Sequence, residues 1–337
     1  MRFLTVSLMA LVPYMYLSAQ DTPTFTPDDP DGLDAPTDTP PTLDTDTLTP
    51  PSDDVVSSIP DLDDKLYAVS TRALVTSGEG AMINGFIITG SGEKTVVIRG
   101  TGPSFQSTSI PDTLEDPFLR LYQLVDGAWT ELETNDDWET GLTDADRAVL
   151  TANNFAPTNA LESVIVASLS AGTYGAQLEG KGSDEGAGLA EVYDFDTSSV
   201  SKITALSTRV FAGTDGNTLI GGFTIAGSAQ RTVGIRAVGP SLPAAAVSDP
   251  LSDPSLLIYR FDTDSNSFVA VTGATNDDWE DLSAADQATL SANSFTPSDS
   301  NESALVLTLD PGVYGAQVTG SDGGTGTALI EVYDFTE

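Results

Sequence analysis

Residues 82–104 read MINGFIITGSGEKTVVIRGTGPS, and residues 219–241 read LIGGFTIAGSAQRTVGIRAVGPS. They are one unit met twice, 137 positions apart. Each opens with a short apolar, β-branched run that ends at Gly90 or Gly227. A tight turn at Ser91-Gly92 or Ser228-Ala229 follows, and a second run, KTVVIRG or RTVGIRA, comes back. Runs of this kind joined by a Gly/Ser turn read as β-hairpins.

The repeat extends outward on both sides. Ser70-Thr71-Arg72 returns as Ser207-Thr208-Arg209, and Asp116-Pro117 and Tyr122 return as Asp253-Pro254 and Tyr259, all at 137. Farther on, Asn135-Asp136-Asp137-Trp138-Glu139 maps to Asn276-Asp277-Asp278-Trp279-Glu280, because the second copy has gained four residues. One residue is then lost, so Glu162-Ser163, Tyr174-Gly175-Ala176-Gln177 and Glu191 to Phe195 recur at an offset of 140. Solenoid units run about 20–50 residues, so this period marks a duplicated domain rather than a solenoid. FLRLYQLV, AWTELET, SVIVASL, TYGAQLEG and GLAEVYDF continue the strand pattern, each bounded by turn residues. Thr143-x-x-Asp146 and Ser283-x-x-Asp286 are helix-start signals, opening one short helix per copy. The fold expected is all-β: two tandem β-sandwich domains, jelly-roll-like, at 65–197 and 202–337, each with one short helix.

Upstream of the repeats, residues 1–20 carry Arg2, an apolar run from Phe3 to Leu17 and then Ser18-Ala19-Gln20, the order of a secretory signal peptide. Residues 21–64 hold 13 Asp, 9 Thr and 9 Pro, and no Lys or Arg. Such a segment has few side chains to offset the entropy of ordering, so it reads as a disordered, extended acidic linker. The expected location is secreted, extracellular or cell-surface, with the periplasm as a further compartment, and no membrane insertion once the leader is cleaved.

Composition narrows the chemistry. Of 337 residues, 50 are Asp or Glu and 13 Lys or Arg, a net charge of −37, and there is no Cys and no His. Thiol and imidazole nucleophiles, bases and metal ligands are therefore ruled out. A surface this acidic repels phosphate backbones, which argues against nucleic acid as partner. The expected partner is an extracellular protein or polysaccharide.

Ser-Thr-Arg, Gly-Gly-Phe, Ile-Arg-x-x-Gly-Pro-Ser, Asn-Asp-Asp-Trp, Glu-Ser, Pro-Gly-x-Tyr and Glu-Val-Tyr-Asp together resemble an uncharacterised tandem repeat of large secreted bacterial proteins. The part from Asp116-Pro117 through Asn135-Asp136-Asp137 to Gly172-x-Tyr174 is also similar to bacterial pre-peptidase C-terminal domains. That second resemblance implies non-catalytic β-sandwiches carried by secreted enzymes, some of which bind calcium.

Three sets of residues are candidate sites. Asn135, Asp136 and Asp137 with Asp116, and Asn276, Asp277 and Asp278 with Asp253, place several oxygen ligands near a strand end, as Ca²⁺ requires. The same residue types make Asx-turns and helix caps, and both readings stand. Trp138 and Trp279 read either as sugar-stacking rings or as core plugs with a satisfied N–H. Arg72, Arg99, Arg209 and Arg236 lie on apolar strands, where a guanidinium needs a partner; Glu162, Glu191, Glu302 and Glu331 are the expected structural partners. The function expected is a non-catalytic adhesion, matrix or scaffold role, with Ca²⁺ as the one candidate cofactor. A carbohydrate-binding module using Trp138 and Trp279 is the alternative. A carboxylate-based hydrolase is a third reading, and it lacks an insertion large enough to build a cleft.

Overall fold

The computed structural model describes residues 63–106, 110, 112–195, 200–214 and 217–336. The expected leader, nearly all of the acidic linker and the junction around Ser198-Ser199 lie outside them. Repeat 1 contains β1 (Lys65–Val75), β2 (Met82–Thr89), β3 (Lys94–Thr101), β4 (Pro117–Val125), β5 (Ala128–Asn135), β6 (Ser163–Leu169), β7 (Gly172–Gly180) and β8 (Gly186–Asp194). Repeat 2 contains β9 (Lys202–Ala212), β10 (Leu219–Ala226), β11 (Arg231–Val238), β12 (Pro254–Asp262), β13 (Ser267–Asn276), β14 (Ser303–Leu309), β15 (Gly312–Gly320) and β16 (Gly326–Asp334). All of these strands pair antiparallel.

Within repeat 1 the strands run β1-β8-β3-β6 in one layer and β2-β7-β4-β5 in the other. That order is the eight-stranded jelly roll. Repeat 2 has the same two layers, β9-β16-β11-β14 and β10-β15-β12-β13. The alternation expected of a half-buried strand is visible in β4, where Leu119 and Leu121 are fully buried and Phe118, Arg120 and Tyr122 less so.

Between β5 and β6 the chain forms α1 (Trp138–Gly141) and α2 (Asp144–Ala152); repeat 2 has a single 3₁₀ turn, Trp279–Asp281, and then α3 (Ala284–Ala292). Thr143 Oγ1 accepts from Asp146 N–H, and Ser283 Oγ accepts from Asp286 N–H, each at 3.2 Å. Caps of this kind stabilise a short helix by about 1 kcal/mol. Each helix buries one leucine, Leu150 or Leu290, in a small apolar cluster on the outside of the sandwich.

The two jelly rolls do not stop at their own edges. β1 pairs with β8 of its own repeat on one side and with β10 of repeat 2 on the other; β9 pairs likewise with β16 and β2. The two seams share one register: Leu66↔Ile225, Val69↔Phe223 and Arg72↔Ile220 in one, Ile203↔Ile88, Leu206↔Phe86 and Arg209↔Ile83 in the other. Each contact maps onto its counterpart by the same offset of 137, bulge included. Leu74 faces its own equivalent, Phe211, so a pseudo-two-fold axis passes through the seam. Each layer of one repeat therefore runs on into a layer of the other. The core is continuous too: Val69, Phe86 and Tyr174 belong to the same buried cluster as Leu206, Phe223 and Tyr314.

One departure from symmetry is compensated inside each repeat. Asn84 is fully buried, donates to Ala190 C=O at 3.1 Å and accepts from Thr208 Oγ1 at 3.0 Å. Its counterpart Gly221 lies against Ile330, the counterpart of Ala190, and a Cβ at Gly221 would meet Ile330 Cδ1 at 2.9 Å. A larger residue with a smaller neighbour in one repeat becomes the reverse in the other, as a close-packed interior requires.

Candidate cation-binding loops

The acidic motif sits where β5 ends and the chain turns back towards β6. Asn135 is 4% exposed, and its carboxamide bridges that turn. Oδ1 accepts from Val164 N–H at 2.8 Å, and Asn276 Oδ1 accepts from Ala304 N–H at 2.9 Å. Asn276 Nδ2 also donates to Asp278 C=O at 2.8 Å. These two asparagines are thus strand clips, and the turn-forming reading describes them.

The aspartates are different. Asp116, just before β4, comes together with Asp136 and Asp137, so that one carboxylate oxygen from each lies within 4.8 Å of the others. All three are half-buried, and among the described residues the Oδ1 of each accepts no hydrogen bond. Lys181, just after β7, supplies the counter-charge: Nζ pairs with Asp136 Oδ2 and stands 3.9 Å from Asp116 Oδ2. Asp184 fixes the loop by accepting from Glu115 and Asp116 N–H at 2.7 and 2.8 Å. Burial raises the Asp116 carboxyl above its usual range; Lys181 opposes this, and Asp136, Asp137 and Asp184 add to it.

In repeat 2 Asp253 holds the same place before β12, with Asp277, Asp278 and Asp322 close enough to act on it. Burial again raises its carboxyl, a hydrogen bond from Ser321 opposes, and the three other aspartates raise it further. Position 321 is the counterpart of Lys181, so the ammonium of repeat 1 has become a hydroxyl. Among the described residues only the repeat 1 aspartates bring their oxygens within 4.8 Å of one another; in repeat 2 the counterparts act on Asp253 without gathering that closely. Lys181 was not among the expected site residues, although its mismatch with Ser321 is legible in the aligned repeats.

The tryptophans are partly buried. Trp138 Nε1 donates to Asn159 C=O at 3.2 Å, and Trp279 Nε1 to Asp299 C=O at 3.0 Å. Each ring packs on the outer apolar cluster of its repeat, Trp138 with Leu142 and Phe155, Trp279 with Phe295 and Tyr333. A shallow groove lined by Trp138, Glu139, Arg147, Ala148, Thr151 and Ala152 runs beside the first of them.

Among the arginines, Arg99 pairs with Glu191 at 3.2 Å and Arg236 with Glu331 at 2.5 Å. Arg236 also donates to Phe295 C=O at 3.1 Å and stacks 4.3 Å from the Phe295 ring centroid. Glu162 and Glu302 have another task. Glu162 accepts from Gly102 and Ser104 N–H at 3.1 and 2.9 Å, and Glu302 from Gly239 and Ser241 at 3.3 and 2.9 Å. These buried carboxylates pin the Gly-Pro-Ser loop, which explains why both motifs recur. Arg72 and Arg209 lie in the seam, opposite Ile220 and Ile83, 4% and 1% exposed.

No family model and no curated protein matches the chain. Two solved structures are similar at low level. A DUF4785 family protein from Legionella pneumophila is 10% identical over 84% of this chain and 86% of that one, with a TM-score of 0.22. The major capsid protein P2 of bacteriophage PM2 is 9% identical over 80% of this chain and 98% of that one, with a TM-score of 0.18. Neither carries an argument about this chain.

Proposed function

We propose that this is a secreted, non-catalytic pair of β-sandwich domains with an adhesion, matrix or scaffold role, stabilised by calcium at its acidic loops. The observation behind this reading is the gathering of Asp116, Asp136 and Asp137 in repeat 1, with the equivalent aspartates around Asp253 in repeat 2 and an ammonium in the first place where the second has a hydroxyl. Extracellular Ca²⁺ fills even millimolar sites, and a ligand at 100 times its Kd adds about 2.7 kcal/mol to the folded state. The test is a set of thermal melts in EDTA, in CaCl₂ and in MgCl₂ at equal ionic strength. We expect a rise in Tm with Ca²⁺ that exceeds the rise with Mg²⁺ and is lost in Asp277→Ala. Equal rises would reduce the effect to screening of the −37 charge.

The groove beside Trp138 supports a second reading, carbohydrate binding. An indole whose N–H is engaged still presents a ring face to a sugar. A glycan array with wild type and Trp138→Ala separates the two: signal lost with the ring supports the sugar reading.

A further inference from the structure

The first and last strands of repeat 1 meet at three buried charged side chains. Lys65 opens β1, Lys94 opens β3 and Asp194 closes β8. Lys65 Nζ lies 3.1 Å from Asp194 Oδ2 and Lys94 Nζ 2.9 Å from Oδ1, with side chains 3%, 1% and 0% exposed. We propose that Lys65 and Asp194 condense into an intramolecular amide, a covalent cross-link between β1 and β8.

The step balances with the groups present. The neutral Lys65 amine attacks Asp194 Cγ, the Nζ–Cγ bond forms, and the Cγ–Oδ1 bond breaks. The departing oxygen takes one proton from the attacking nitrogen and one from the Lys94 ammonium hydrogen-bonded to it, and leaves as water. Lys94 ends neutral, and no oxidant or reductant is involved.

Three features favour the reaction. The amine is held in contact with the carboxylate, 3.1 Å from Oδ2, so the step is intramolecular between groups already brought together. Burial is the largest influence on Lys65 and lowers its pKa, against the pull of Asp194, which raises the neutral, nucleophilic fraction. Ions withheld from water recover only part of their lost hydration by pairing, whereas the amide is uncharged.

Repeat 2 is an internal contrast. The counterparts of Lys65, Lys94 and Asp194 are Lys202, Arg231 and Asp334. Lys202 is exposed, and Arg231 grips Asp334 through Nε at 2.9 Å and Nη2 at 2.5 Å. A guanidinium stays protonated and does not attack, so this site stays an ion pair. The placement of the amide has a mechanical logic as well. The Asp/Thr/Pro-rich segment joins the first sandwich at Lys65, so any pull along it reaches β1 first. An amide at the first residue of β1 bears that load before the β1–β8 hydrogen bonds do.

The test is the mass of the full-length protein, which rests on none of the adhesion or calcium reading. We expect the intact chain to be lighter than its formula by one water. Asp-Gly succinimides lose water too, so the branch point is read by tryptic mapping. Peptide 182–202 should emerge joined through Asp194 to the peptide that ends at Arg72, with Lys65 uncut. Lys65→Arg should restore the full formula mass. A wild-type protein of full formula mass, or a branch through Lys94 or any other residue, overturns the assignment and leaves Lys65–Asp194 an ion pair.

Discussion

Thr71 and Thr208 are 137 residues apart, occupy the same place in the two repeats, and share a hydrogen bond of 2.6 Å between their hydroxyls, both fully buried. A residue bonded to its own counterpart lies on a symmetry axis. Here the axis joins two jelly rolls whose apolar interiors run together beneath the seam. Opening the seam would expose that interior and the unpaired edges of β1, β2, β9 and β10.

The whole repeat pair should therefore unfold as one unit. Calorimetry of the full chain is expected to show a single transition whose van't Hoff and calorimetric enthalpies agree. Phe86→Ala, in the shared core, should cost about 3–5 kcal/mol and lower that one transition. Two resolved transitions, with only the first shifted by the substitution, would mean that the repeats fold apart.

Arg236 and Arg99 should differ in a graded way. The Arg236 side chain is 3% exposed and Glu331 is 0% exposed, so Arg236→Ala strands a buried carboxylate and should cost about 3–5 kcal/mol. Arg99 is 19% exposed, so water relieves part of the loss at Glu191, and the cost of Arg99→Ala should be smaller. Urea titrations of both variants give the comparison, and equal costs would contradict it.

The Lys181/Ser321 difference makes the calcium response transferable. Ser321→Lys brings an ammonium to the repeat 2 site and should remove most of the Ca²⁺-dependent rise in Tm. Lys181→Ser takes away the built-in cation of repeat 1 and should enlarge the rise. Isothermal titration with CaCl₂ would show the stoichiometry fall and grow in step; unchanged binding in both would place the ion elsewhere.

The acid limb of stability carries a matching signature. Asp253 has its folded-state pKa raised, so the folded protein holds that proton more tightly than the unfolded chain. The contribution is favourable at low pH and is lost as pH climbs from the ordinary carboxylate range through the raised folded value. Without divalent cations, Asp253→Asn should thus be more stable than wild type near neutrality, with the advantage vanishing in acid. With CaCl₂ the order should reverse, because the carboxylate then has a cation to serve. Denaturant midpoints at several pH values, with and without Ca²⁺, test both arms.

Much of this was written in the residues. Alternation in FLRLYQLV, glycine-bounded runs and the Thr143 and Ser283 cap signals reflect local physics, and the strands and helices formed where those signals lie. The hairpins expected at Ser91-Gly92 and Ser228-Ala229 did not form: β2 pairs with β7 and β9 while β3 pairs with β6 and β8, and β10 and β11 part in the same way, because those turns carry the chain from one layer to the other. The pairing at the seam was not legible. β2 and β10 offer nearly the same edge, MINGFIIT and LIGGFTIA, so sequence does not say whose first strand each accepts. In the acidic loop of repeat 1 the grouping of Asp116 with Asp136 and Asp137 was legible, and the three carboxylates do come together; the separate part of Asn135 was not. Asn135 and Asp136 are neighbours in sequence, yet the carboxamide is spent on Val164 while the carboxylate faces Lys181, and only the tertiary fold separates those roles. Glu162 serves arginine only through space, its charge favouring the Arg99 guanidinium, while its hydrogen bonds come from backbone amides of the Gly-Pro-Ser loop.

Two separate copies related by a true two-fold would be bound to carry identical side chains at every equivalent place, since one gene would encode both. Joining them in one polypeptide lifts that obligation. Asn84 beside Ala190 and Gly221 beside Ile330 show what the release permits: each half settles its own packing without spoiling the other. Lys181 and Ser321 extend the same freedom to the surface. A duplicated chain of this sort can keep one face as scaffold while its counterpart drifts towards a new ligand, and the shared hydroxyl pair on the axis holds the halves in register throughout.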